Sequence, residues 1–254
     1  MINVKCSILV LFWLLCFVGN GVAQESTSVV VRAQAKDAKF IGSSMGGVAI
    51  VISETETGKI LAEGTTEGST GDTNRLVSNP QQRYGELHTE DAAKFEAHLT
   101  LNEPTFVTIT ARGPLAQKQS AITASTQLWL IPGKDITGDG VVMEMPGFAI
   151  DILQPQAHER NSNDTITITA NVVMMCGCPI EPGGLWDSNE MEFVATIAKG
   201  GQEVSEIPMD FTGKTSTFEA EYTPQESGAY QITVHGFDPR TGNTGVDQTT
   251  FIKQ

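Results

Sequence analysis

The sequence predicts an all-β fold of two antiparallel sandwiches behind a signal peptide, on three observations. Apolar and polar residues alternate with period two through most of the chain, and no long stretch carries a 3.6-residue apolar period. Polar, Gly-rich turn signals separate the alternating runs. A segment that begins at Phe95 recurs from Phe218.

The chain opens with Lys5 ahead of an uncharged apolar run, 6–19, that contains Phe12, Trp13 and Phe17. Gly21-Val22-Ala23 then places small residues where a signal peptidase reads, so residues 1–23 are expected to leave and the mature chain to begin at Gln24. The run is shorter than the roughly 18–20 apolar residues that span a bilayer. Leu14-Leu15-Cys16 makes a poor lipoprotein site, because a bulky residue precedes the cysteine and the apolar run continues past it. The implied address is secreted or periplasmic, with no transmembrane segment in the mature chain.

Loss of Lys5 takes the formal net charge from −14 to −15. No Lys/Arg cluster offsets it, which disfavours nucleic acid and anionic lipid and leaves a protein or another extracellular ligand as partner. Cys6 and Cys16 depart with the signal, so Cys176 and Cys178 are the cysteines left. A chain with so few must stand on apolar cores rather than on a disulfide framework.

Strands are expected at 29–35, 48–52, 95–101, 106–111, 127–131, 166–172, 193–198, 218–222 and 230–234. Turns are expected at Thr57-Gly58-Lys59, Lys199-Gly200-Gly201 and Arg240-Thr241-Gly242-Asn243. The one helix expected is short, over 89–94, with Thr89 as its cap and Glu90 and Asp91 in its first turn. Residues 63–90 are rich in Gly, Thr, Ser, Asn and Gln and form a connection well beyond ordinary loop length, either functional or floppy.

FEAHLTLNEPTFVTITARG (95–113) aligns without a gap on FEAEYTPQESGAYQITVHG (218–236). The shared pattern is a strand, a corner and a second strand. It implies two related domains, 24–133 and 141–254, divided over 132–140.

In the second copy Gly228, Tyr230, Ile232 and Val234 form the Gly-x-Tyr-x-Ile-x-Val run that opens strand F of bacterial extracellular immunoglobulin-like domains, and residues 217–245 resemble the E, F and G strands of that family. The resemblance implies an immunoglobulin-like sandwich with Tyr230 as its tyrosine corner. No cysteine follows two residues after Tyr230, so the inter-sheet disulfide of antibody domains is not implied. In the first half Val107 replaces the tyrosine, and GVAIVISETETGKILAEGTT (47–66) resembles carboxypeptidase-regulatory-like and prealbumin-like sandwiches. These resemblances imply architecture rather than activity.

Four motifs bear on chemistry. Gly42-Ser43-Ser44-Met45-Gly46 satisfies the nucleophile-elbow string, but a strand pattern rather than a helix follows Ser44, so a turn is expected and no catalytic residue is assigned. His88, His98, His158 and His235 form no spaced motif and are expected at the surface. Asp135, Thr137, Asp139 and Gly140 match the start of a calcium loop whose twelfth position is Pro146 instead of glutamate. Asn163-Asp164-Thr165 is a glycosylation sequon.

The unusual cluster is Met174-Met175-Cys176-Gly177-Cys178-Pro179. Strand alternation continued from Ile166 would place Met174, Cys176 and Cys178 on one face, and Met143 and Met145 could join them if their strand lies alongside. Soft sulfur ligands suit Cu(I), with a disulfide, a redox dithiol, a bridge to a partner and ordinary core methionines as rivals. Two functions are therefore expected in competition. One is an exported, non-catalytic binding or structural protein without cofactor; the other is copper binding or thiol redox at the sulfur cluster.

Overall fold

A computed structural model describes residues 25–79 and 81–254; the expected signal peptide lies outside them. The first half runs through β1 (Glu25–Ala35), β2 (Ala49–Glu54), β3 (Ile60–Thr65), β4 (Phe95–Leu101), β5 (Thr105–Gly113), β6 (Ile122–Leu130) and β7 (Ile136–Met145). Its sheets have the orders β4-β1-β7 and β3-β2-β5-β6. The second half runs through β8 (Phe148–Gln154), β9 (Glu159–Asn161), β10 (Ile166–Met174), β11 (Glu192–Lys199), β12 (Gln202–Pro208), β13 (Asp210–Phe211), β14 (Thr217–Tyr222), β15 (Gly228–Phe237) and β16 (Thr244–Lys253). Its sheets have the orders β13-β14-β10-β8 and β12-β11-β15-β16-β9.

Alternation explains the strands. Along β10, Ile166, Ile168, Ala170, Val172 and Met174 are buried while the residues between them are more exposed, so one face of the strand makes core. Phe193 on β11 sits against Phe148 (centroids 5.8 Å) and Phe218 (4.6 Å) of the opposite sheet, which locks the two layers through aromatic contact. Taken in chain order, β8, β10, β14 and β13 occupy the A, B, E and D positions of an immunoglobulin sandwich, and β11, β15 and β16 the C, F and G positions. The Tyr230 hydroxyl donates to the Glu226 carbonyl (2.8 Å), which is the tyrosine corner that the resemblance implied. The repeat is structural as well: β4 and β14 each lie in one sheet, and β5 and β15 follow each of them in the facing sheet.

The largest departure from expectation is at β7. Residues 134–140, read as a linker, and Met143 and Met145, read as part of the second domain, belong to β7 or the turn before it. β7 pairs in parallel with β1, from Val31 opposite Val141 to Ala35 opposite Met145, so the first half's sheet extends to Met145. It fills the edge that an A strand would fill. Its alternation is hidden by Gly138 and Gly140, both at φ +68, and by a register shift beside Val30. Gly140 is required there, since a Cβ would collide with the Val30 carbonyl oxygen.

The two halves meet through one continuous apolar cluster and a set of hydrogen bonds. Asn243, fully buried, donates through Nδ2 to the Lys36 carbonyl (3.1 Å) and accepts the Gly147 N–H at Oδ1 (2.8 Å). Trp186 Nε1 donates to the Asp37 carbonyl (2.9 Å), and the Ile150 N–H donates to Ser120 Oγ (3.1 Å).

Candidate functional site

The connection between β3 and β4 replaces the D strand of the first sandwich and is built rather than slack. Its two legs are tied where the Glu67 and Lys94 backbones exchange hydrogen bonds and where Ser69 pairs with Ala92. Those ladders consume the backbone that the expected 89–94 helix needed, and that segment is a turn followed by bridges instead. A helical turn, Asn74–Ser78, carries Leu76 into a small apolar cluster with Phe40, Ala92 and Ala93, against which Val77, Leu87 and Val142 pack.

Two charged residues of the sandwich hold this loop. Arg32 on β1 is 2% exposed, and its Nη1 donates to the Ala92 (2.7 Å) and Ala93 (2.9 Å) carbonyls while Nη2 donates to the Gly138 carbonyl (3.2 Å). Its guanidinium lies 5.5 Å from the Phe40 ring centroid. Burial pushes the Arg32 pKa below its usual value, and the Asp139 charge opposes that shift. Asp139 on β7 accepts the Leu87 N–H (3.0 Å), the His88 N–H (2.9 Å) and a hydrogen bond from His88 Nδ1 (2.7 Å). Partial burial alone would raise the Asp139 carboxyl, but the hydrogen bonds from His88 and Leu87 outweigh it and hold the group below the usual carboxylate range.

Beyond these anchors the tip turns outward. Gln81, Gln82, Arg83, Tyr84 and Gly85 are all exposed, and Tyr84 reaches 88%. Tyr84 has φ +65, a left-handed conformation uncommon for a bulky residue, and the Arg83 guanidinium lies 4.7 Å from its ring centroid. Behind the tip is a cleft of about 220 Å³ lined by Arg75, Gln82, Glu86 and Leu87 among others.

The sulfur cluster is arranged otherwise than alternation predicts. β10 stops at Met174 and the chain reverses, with the Gly177 N–H donating to the Met174 carbonyl (2.7 Å) and the Met174 N–H to the Cys178 carbonyl (3.0 Å). Gly177 takes φ +79, so Met174, Cys176 and Cys178 do not share a strand face. Cys176 and Cys178 are joined as a disulfide, and both are buried. Met174 is fully buried at the end of β10. Met143 and Met145 are buried on β7, opposite Ala33 and Ala35 of β1, in the same apolar cluster as Met174, Cys176 and Cys178. Met45 also reaches the turn from the other half of the chain, its Sδ lying 2.8 Å from where a Cβ on Gly177 would stand. No local pattern marks Met45, because it arrives from a 3-10 turn in the other half of the chain.

The remaining motifs resolve simply. Ser44 is exposed in the 3-10 turn Ser43–Met45, with no strand-to-helix elbow, and among the described residues no hydrogen bond links it to a histidine. The calcium string is taken apart by β7: Asp135 accepts the Ser28 N–H (2.8 Å) while Asp139 serves the loop. His88, expected as a plain surface residue, is half-buried on Asp139. Among the described residues no group of three or more His, Cys, Asp or Glu side chains is placed to hold a metal ion, and no helix is long and apolar enough to cross a membrane.

No family model and no curated protein matches the chain. Among solved structures it is similar to an engineered protein at 17% identity (TM-score 0.33), covering 49% of this chain but only 24% of that one. It is also similar to the fibronectin(III)-like modules of Clostridium thermocellum CbhA at 11% identity (TM-score 0.28, 90% of this chain and 94% of that one). A third likeness is to the complex of Dpr2 Ig1-Ig2 with DIP-Theta Ig1-Ig3, at 10% identity (TM-score 0.28, 90% of this chain and 100% of that one).

Proposed function

We propose that the chain is an exported, non-catalytic binding or structural protein that presents the tip of the β3–β4 loop to a protein or other extracellular ligand. The observation that carries this reading is the exposed Arg83 and Tyr84 pair at the tip of a loop whose return leg is anchored by Arg32 and Asp139. Tyr and Arg are the residue types that most often dominate binding energy. A loop whose leg is anchored before contact has less conformational freedom to lose on binding.

Site-specific photocrosslinking in the extracytoplasmic fraction tests it. A crosslinker in place of Tyr84 should give a discrete adduct that excess unlabelled protein competes away and the Arg83→Ala/Tyr84→Ala double variant does not. A crosslinker in place of Lys214, on the second half, should give none. The same adducts from both positions would remove the loop reading, and an intact mass that retains residues 1–23 would remove the export.

A second reading, Cu(I) binding or thiol redox, is favoured by the Met45 thioether lying against the Cys176–Cys178 turn. It needs the disulfide reduced first, two electrons and two protons yielding two thiols. Reduced protein should then compete with a chromophoric chelator for Cu(I), and the Cys176→Ser/Cys178→Ser variant should not. Failure of the reduced wild type to compete removes this reading.

A further inference from the structure

β6 is the outer strand of its sheet and is paired with β5 alone. An outer strand presents every second N–H and C=O of its backbone outward, ready to pair with another strand. Among the described residues no hydrogen bond to the β6 backbone comes from anywhere but β5. Ala124, Thr126 and Leu128 point inward yet stay half-exposed, as they would where a sheet ends without cover.

The other long edges of the described sheets are guarded. β4 carries Glu96 and His98, β7 carries Asp139, Glu144 and an irregular register, and β3 carries Glu63. β12 has Glu203, Glu206 and Pro208, while β8 carries Asp151 and has its Ile152 N–H taken by Asp247 Oδ2 (2.8 Å). β9 and β13 are only three and two residues long. Charges, proline, irregularity and shortness are the usual protections against edge pairing. β6, ITASTQLWL, has none of them: nine residues with no ionisable side chain, no proline and no glycine.

We infer that β6 pairs with β6 of a second copy of this chain, antiparallel about a two-fold axis at Thr126, which joins two four-stranded sheets into one of eight strands. Two features select a second copy. The chain carries a formal charge of −14, so most faces of two copies repel, and β6 is a long edge where they can meet with no carboxylate on the pairing strand. The strand is also self-complementary about Thr126. Ile122 falls opposite the partner copy's Leu130 and Ala124 opposite its Leu128 on the core-facing side; Thr123 falls opposite Trp129 and Ser125 opposite Gln127 on the outer side. Each pair keeps its face, so both apolar cores continue across the junction. Trp129, 59% exposed and 5.1 Å from the Phe106 ring, would lose solvent on pairing, whereas Trp186 is already buried.

Sedimentation equilibrium of the mature protein from micromolar to millimolar concentration tests this. The expected result is a monomer–dimer equilibrium that tightens with added salt, as screening weakens the repulsion between two acidic copies, with Trp129 fluorescence shifting to the blue in step. Ser125→Lys/Gln127→Lys sets lysine opposite lysine twice across the axis and should weaken association about tenfold or more. Ser125→Lys/Gln127→Glu sets lysine opposite glutamate and should keep the dimer. Both positions are exposed, so neither variant disturbs the core. A wild type monomeric at millimolar concentration overturns the inference, as do two double variants that associate equally well or equally poorly. A crosslinker at Gln127 that captures a different protein, with the wild type monomeric, assigns the edge to that partner instead.

Discussion

Replacing Asp139 by asparagine should loosen the β3–β4 loop without unfolding the sandwich beneath it. Asp139 binds Leu87 N–H, His88 N–H and His88 Nδ1 at 2.7–3.0 Å, and its charge also faces the buried Arg32. Asparagine keeps one carbonyl oxygen for the amides but loses the charge and the acceptor that holds the imidazole. One charge-assisted hydrogen bond is worth about 1.5–3 kcal/mol, so a loss of about 2 kcal/mol in local stability is expected. At 1.4 kcal/mol per factor of ten, that is about thirtyfold in the opening equilibrium of the loop. Hydrogen exchange of the peptide covering residues 86–94 measures it, with the β15 peptide as control. The Leu87 and His88 amides should exchange about thirtyfold faster in the variant while β15 is unchanged. The same geometry fixes a pH dependence in the wild type. The folded Asp139 pKa lies below the ordinary value of about 3.9, so its contribution is full above that value and disappears as pH falls through the folded pKa. Protection of Leu87 and His88, corrected for intrinsic exchange, should therefore decline in that acid range and vanish as a pH effect in Asp139→Asn. Less than threefold acceleration, or an unchanged acid dependence, would refute the reasoning that this carboxylate holds the loop.

Three further outcomes follow from the packing. Gly140→Ala puts a Cβ into the Val30 carbonyl at φ +68 and should cost roughly 2–4 kcal/mol, read as a lower urea midpoint; an unchanged midpoint would mean that β7 does not lie on β1 as described. Asn243→Ala leaves the Lys36 carbonyl and the Gly147 N–H without partners between the halves and should cost about 2–3 kcal/mol, seen as a lower melting temperature in calorimetry. Tyr230→Phe removes the corner hydrogen bond to Glu226 and should cost about 1 kcal/mol at unchanged urea m-value.

Strands with a clean alternation could be read directly. Phe95–Leu101 coincides with its expected bounds, and Ile166, Ile168, Ala170 and Val172 face the core as period two requires. The tyrosine corner was also legible, because the Gly-x-Tyr-x-Ile-x-Val run is a local signature. β7 was not. Its positive-φ glycines and its acidic residues imitate a linker, and parallel pairing with a strand a hundred residues earlier leaves no local trace. β16 could not be read from alternation, although the resemblance implied a G strand starting there: polar residues such as Asp247, Gln248 and Thr249 interrupt its apolar pattern, and its pairing with β15 supplies the missing order.

The candidate sites divide the same way. The order of residues along the chain was enough to mark an unusual connection after β3 and to show that a single residue separates Cys176 from Cys178. That Asp139 binds the loop's amides, that Arg32 is buried beneath the loop, and that Met45 meets the cysteine turn depend on contacts between residues far apart in the chain. The reason is physical. Period and turn chemistry act through the nearest few residues and are written in order along the chain, whereas hydrogen bonds to a buried cation or carboxylate are set by which strands become neighbours. Only the closed sandwich decides that.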